Sequence, residues 1–178
     1  MKKTIRAFAR STALVAALAL ALFAPAPALA AGGKASTFEN ALLLLIFNGT
    51  TITSIAQNVG STPATVLCVA LHTADPGAGG AQSTNEAAYG SYARISVNRN
   101  SGGWTVSGNQ VSLTSLEQFP AATSGSETET YFSVAVPTSG STCSGSLTIL
   151  YRGPITPNLV ISTGVTPELT TGTLITEQ

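Results

Sequence analysis

Apolar and polar positions along the chain fall into three regimes. From Ser11 to Phe23 the residues are almost continuously apolar, behind a basic start of Lys2, Lys3, Arg6 and Arg10. That run of about thirteen residues is too short to span a bilayer as a helix. With Pro25, Pro27 and the small-x-small triplet Ala28-Leu29-Ala30 it predicts a signal peptide over residues 1–30, cut after Ala30. The second regime is Thr37 to Phe47, where Ala41-Leu42-Leu43-Leu44-Leu45-Ile46-Phe47 is apolar most of the way round a helix. Ser36-Thr37-Phe38-Glu39 reads as a capping box ahead of it, and Asn48-Gly49 as its stop, so the pattern predicts a helix over residues 37–47. Such a helix must be covered on several sides. Its own sheet supplies one cover. The other is either a neighbouring subunit, meeting Leu43, Leu44 and Phe47, or more of the same domain.

After Gly49 the period changes to that of strands. Thr65 to His72 is apolar on both faces and predicts a central strand. Asp75-Pro76-Gly77-Ala78-Gly79-Gly80 ends it and opens a long surface loop to residue 91. Tyr92 to Arg99 alternates, as a half-exposed strand does. Further strands are predicted at 104–106, 110–113, 118–120, 130–136, 147–151, 159–162 and 174–176, the last ones separated by Gly153-Pro154, Thr163-Gly164 and Thr171-Gly172. About seven to nine short strands at regular spacing predict an all-β fold, a β-sandwich or jelly roll with one short N-terminal helix. Residues 31–178 then form a single β-sandwich domain.

Charge narrows the classes of function. The whole chain is formally neutral, but four of its eight basic residues lie in the leader, and the remainder carries four basic against eight acidic residues, a net charge of −4. An acidic, charge-poor surface does not attract a phosphate backbone, so nucleic acid is set aside as a partner. No second apolar run of membrane length follows, and membrane contact is expected only in transit.

Groups that trade protons are scarce. His72 is the only histidine. Asp75 is near it in sequence, but no Gly-x-Ser-x-Gly elbow exists, and the imidazole is expected to bond backbone at a strand end. Glu127 and Glu129 share a face if their segment is extended, and read as a solvated strand edge more readily than as an acid/base pair. Asp75, Asn85 and Glu86 offer oxygens to calcium, although Asp75-Pro76-Gly77 is more simply a turn. Asn48-Gly49-Thr50 fits a glycosylation sequon and also a helix cap. No catalytic, cofactor or metal site is therefore predicted, and no cofactor. Trp104 and Tyr89 are the candidates for a sugar-stacking platform, the second reading of the chain being an exported carbohydrate- or surface-binding module. Two cysteines remain, Cys68 and Cys143, with no Cys-x-x-Cys pair. In an oxidising compartment they either bridge or stay as one buried and one exposed thiol.

Several short words occur in a familiar order: Ala70-Leu71-His72-Thr73-Ala74-Asp75-Pro76-Gly77, Thr84-Asn85-Glu86, Gly90-Ser91-Tyr92-Ala93-Arg94, Gly103-Trp104, Phe119-Pro120-Ala121-Ala122, Tyr151-Arg152-Gly153 and Gly164-Val165-Thr166-Pro167. Over about residues 36–177 the chain resembles small tailed-phage and prophage virion proteins of the tail-fibre-like, minor tail or capsid decoration kind. The resemblance implies a compact β-sandwich that builds or decorates an assembly, without enzymatic activity, its partners being copies of itself or other structural proteins. No catalytic residue is carried over. Cys68 stands where relatives tend to have an aromatic or aliphatic residue, and Cys143 lies in a variable loop. If the two changes belong together they favour the bridge. The leader is the larger departure, because phage structural proteins assemble in the cytoplasm. A native leader implies an exported protein, periplasmic or extracellular, such as a coat or filament subunit; otherwise the place is the virion.

Overall fold

The computed structural model describes residues 34–52, 54–58, 63–138 and 140–177. The signal peptide expected over residues 1–30 lies outside the described residues. Helix α1 runs Ser36–Asn48. It ends where expected: Gly49 takes the left-handed backbone at φ 67°, and the Thr50 N–H donates to the Leu44 carbonyl at 3.0 Å. Its start differs from the expected capping box. The N-cap is Ala35, with no side-chain cap, and its carbonyl accepts from Phe38 and Glu39 N–H. Ser36 is already helical, and Glu39 is turned into the protein rather than back toward the cap.

Nine strands follow among the described residues, all paired antiparallel, in the open sheets of a β-sandwich. They are β1 (Val66–His72), β2 (Ile95–Asn98), β3 (Trp104–Ser107), β4 (Gln110–Leu113), β5 (Glu117–Gln118), β6 (Glu127–Ala135), β7 (Ile149–Ile161), β8 (Glu168–Leu169) and β9 (Leu174–Thr176). The sheets are β2-β1-β6-β7, β3-β4-β9 and β5-β8. β1 is buried along its whole length, as its apolar run requires of a central strand. One face of it, Leu67, Val69 and Leu71, joins Val97, Phe132 and Val134 against Trp104, Val111, Leu113 and Ile175 of the three-stranded sheet. The other face carries Cys68, Ala70 and His72.

Two strands expected on either side of Gly153-Pro154 are one strand, β7. Pro154 sits opposite Tyr131 on β6, and β7 is the edge of its sheet, where a missing N–H need not break a ladder bond. Gly153 belongs there for a packing reason: a Cβ on it would lie 3.0 Å from Phe132 Cε1. β8 was not expected at all. Two residues are too few to show a period, and only pairing with β5 makes them a strand.

Helix α1 packs on β3 and β4. Phe47 meets Trp104 edge-on with ring centroids 4.8 Å apart and Tyr151 of β7 at 5.5 Å. Arg99, just past β2, donates to the Ile46 and Leu45 carbonyls and to Asn58. Those carbonyls belong to the last turn, which has no intrahelical donors, and a cation there also meets the negative end of the helix dipole. At the ends of the domain the Lys34 ammonium lies 2.7 Å from a Glu177 carboxylate oxygen, whose other oxygen accepts from the Tyr151 hydroxyl at 2.6 Å.

Candidate functional site

The chemistry-bearing side chains gather behind β1, under the loop of residues 73–91. His72 and Ser133, on neighbouring strands, and Gln82, from the loop, are all fully buried. The His72 Nδ1–H donates to the Thr84 carbonyl at 2.9 Å, and Nε2 accepts from the Ser133 hydroxyl at 2.7 Å. Burial is the main force on the imidazole and lowers its pKa, so the ring is neutral at pH 7. Gln82 donates from Nε2 to the Cys68 carbonyl at 2.8 Å and to Ser133 Oγ at 3.2 Å, while its backbone N–H donates to Leu147 at 2.9 Å. The buried polar groups thus pin the loop to the sheet, since each would cost free energy if left unpaired.

The calcium set does not converge. Asp75 accepts from the Gly77 N–H at 2.8 Å, as a turn residue does, and pairs with Arg152 at 2.8 Å. Glu86 is held by Arg94 through both oxygens at 2.6 and 2.7 Å and accepts from the Tyr92 hydroxyl at 3.0 Å. Among the described residues no three potential ligands cluster. On the same face of β1 the sulfurs of Cys68 and Cys143 are 2.04 Å apart, with Cα atoms 5.4 Å apart, a disulfide packed against Ala135 and Leu147.

Glu127 and Glu129 do not form the solvated edge that their spacing suggests. Glu127 Oε1 accepts the N–H groups of Ala88 at 2.9 Å and Tyr89 at 2.7 Å, a charge-assisted clamp on the loop. Glu129 is completely buried, and its protonated carboxyl donates to that of Glu127. Burial, helped by the neighbouring Glu127 charge, pushes its pKa up to about 8. The folded-state value is raised, so this group's contribution is whole below the ordinary carboxylate range and is lost as pH rises through about 8. We therefore expect urea unfolding midpoints to fall between about pH 5 and about pH 9 in wild type, and Glu129→Gln to flatten that fall and raise the midpoint most at the alkaline end. An identical pH profile in the variant would refute this.

The aromatic platform is overturned. Trp104 is 2% exposed and Tyr89 is 3% exposed. Trp104 lies against Phe47, and the Tyr89 hydroxyl donates to the Pro120 carbonyl at 3.1 Å. A ring needs an open face to stack on a sugar, and here both are core. The candidate subunit contact is corrected in the same way: Leu43 and Phe47 are fully buried in the domain's own core, and Leu44 is half-buried. The three-stranded sheet and Tyr151 of β7 cover the Leu43 and Phe47 side of the helix, while Leu42, Leu44 and Leu45 stay half-buried. An apolar depression of about 520 Å³ lies elsewhere, between β7 and the segment around β8 and β9, lined by Phe132, Ile155, Pro157, Leu159, Leu169 and Leu174.

The ionisable groups that line surface depressions are Glu86, Tyr92 and Arg94, already bonded to one another, and Glu168 at the rim of the apolar one. The Glu129 and His72 side chains that burial perturbs are enclosed, and the strong ion pairs are structural ties. Residues 33–177, a range that takes in the whole of the described domain, match the family described as "Podophage GP4 fiber I protein gp80". A search of curated proteins found no match.

Proposed function

Since the chain belongs to the podophage GP4 fiber I protein gp80 family, we propose that it is a non-enzymatic structural subunit of a phage particle, held in place by copies of itself or by other structural proteins. The observation that carries this reading is the extent of the match, which spans every element from α1 to β9. The distribution of charge supports it. The ionisable side chains with defined partners tie loops to sheets, which leaves surfaces, not reactive groups, as what the molecule offers.

The surface that best suits assembly is the β7 side of the large sheet. β7 is a 13-residue edge strand, and an edge offers unpaired main-chain groups to a partner. Val160 on it is 70% exposed, and Leu174 beside the apolar depression is 54% exposed. The basic, apolar and small-residue order of residues 1–30 further suggests a subunit that passes through the export pathway before assembly. A tail, capsid or filament position is compatible with the same subunit chemistry.

Two measurements test the proposal. Gold-labelled antibody against the protein should decorate phage particles in electron micrographs. Light scattering of the purified protein should show a multimer, which Val160→Glu converts toward monomer without altering the circular dichroism spectrum. Unlabelled particles together with a wild-type protein that stays monomeric at high concentration would overturn it.

A further inference from the structure

The domain is open between its layers on the β7 side. β7 and β9 are each the last strand of their sheet, and β8 pairs with β5 alone. Between them lies the apolar depression, whose volume of about 520 Å³ falls within the roughly 300–1,000 Å³ of built ligand sites. Its floor is core: Phe132 and Ile155 from the large sheet, and Leu169 of β8. Leu159 and Leu174 carry the apolar lining outward. The wall on the β7 side holds main chain that the sheet does not use. Glu129 pairs with Leu159 and Tyr131 with Pro154, so residues 155–158 stand opposite Thr130 alone. That bulge leaves carbonyls and N–H groups out of the ladder, and Ile155, Thr156 and Pro157 line the groove. An acyl chain has no use for such groups. An extended peptide does, because strand addition draws its affinity from main-chain bonds and its specificity from pockets for alternate side chains.

Glu168 stands at the rim of this groove. One of its oxygens accepts from the Gln118 amide at 2.6 Å, and among the described residues no cation pairs with it. A second copy of the chain brings no cation to spare. Lys34, Arg94 and Arg152 are paired with carboxylates, and Arg99 donates to the helix carbonyls and Asn58. Two copies also carry net charge of the same sign, which does not favour their meeting at an acidic rim. We propose that the groove receives an extended, apolar segment of a different protein, with a lysine or arginine set against Glu168. Such a partner presupposes that the chain is an assembly subunit. Val160 is not among the lining residues, so self-association through the β7 edge is a separate contact.

An array of short peptides tests this, each built from valine, leucine, proline and threonine around one central arginine, lysine, glutamate or glutamine, and probed with the full chain. Arginine and lysine peptides should bind, and their glutamate counterparts should bind about three- to fivefold more weakly, the range of an exposed ion pair. Glu168→Lys should reverse that order without changing the circular dichroism spectrum, and Glu168→Gln should abolish it. Peptide binding is read without phage particles or multimers, so it can fail while particle labelling succeeds, and the reverse. An array left blank overturns the proposal, as does equal binding to arginine and glutamate peptides. So does a synthetic peptide of residues 1–30 that binds more tightly than any arrayed peptide, which would assign the groove to the chain's own leader. A change of multimer size in Glu168→Lys would assign it to a second copy and overturn the proposal too.

Discussion

Phe47→Ala is expected to destabilise the domain by about 3–5 kcal/mol, the largest effect of any single truncation of the helix. Phe47 has no exposed surface and touches both layers of the fold, with Trp104 of β3 at 4.8 Å and Tyr151 of β7 at 5.5 Å. Removing the ring loses its transfer from water, opens a cavity, and ends an edge-to-face contact that adds about 0.5–1.5 kcal/mol beyond buried area. Neither neighbour closes the gap easily, since Trp104 is fixed on a strand and Tyr151 is held by Glu177 through its hydroxyl. The readout is a urea unfolding curve with its midpoint shifted and its slope retained. The same substitution separates the two readings of the helix. If Phe47 works inside the domain, the variant loses stability at every protein concentration. A variant with wild-type stability and altered assembly would instead restore Phe47 as a subunit contact.

Reducing the disulfide, or replacing both cysteines by alanine, is expected to cost about 4 kcal/mol. The bridge closes 75 residues of chain, and loop closure of that length removes roughly this much freedom from the unfolded state. The native state contributes as well, because Cys143 anchors its loop to the otherwise apolar pair Ala135 and Leu147. Urea midpoints with and without reductant measure the loss. Equal midpoints would mean that the closed loop does not constrain the unfolded chain. The Glu129 pH profile provides an internal control, since neither cysteine touches that carboxyl.

What the sequence discloses depends on whether a feature is set by neighbours in the chain or by neighbours in space. β1, β3, β4 and β9 follow from short-range patterns, and their positions agree with expectation to within a residue or so. The helix stop was equally legible, because Gly49 acts alone. The helix start was not: Ser36 and Glu39 have the spacing of a cap, but Glu39 is drawn inward. Gly153-Pro154 misled for a related reason. Such a pair breaks a strand only when its missing N–H is needed, and an edge position removes that need. The polar site behind β1 left almost no trace. Gln82 and Ser133 are unremarkable residues far apart in the chain, and only the pairing of β1 with β6 brings Ser133 to His72. The aromatic platform failed because a tryptophan beside a Gly-Gly turn has the same sequence context whether its ring points out or in.

The contact between Lys34 and Glu177 means that the domain begins and ends at one pole. A segment fused before Lys34 or after Glu177 would join the domain on one side. A short bridge from Glu177 back to Lys34 should therefore permit the domain to be recut at another loop.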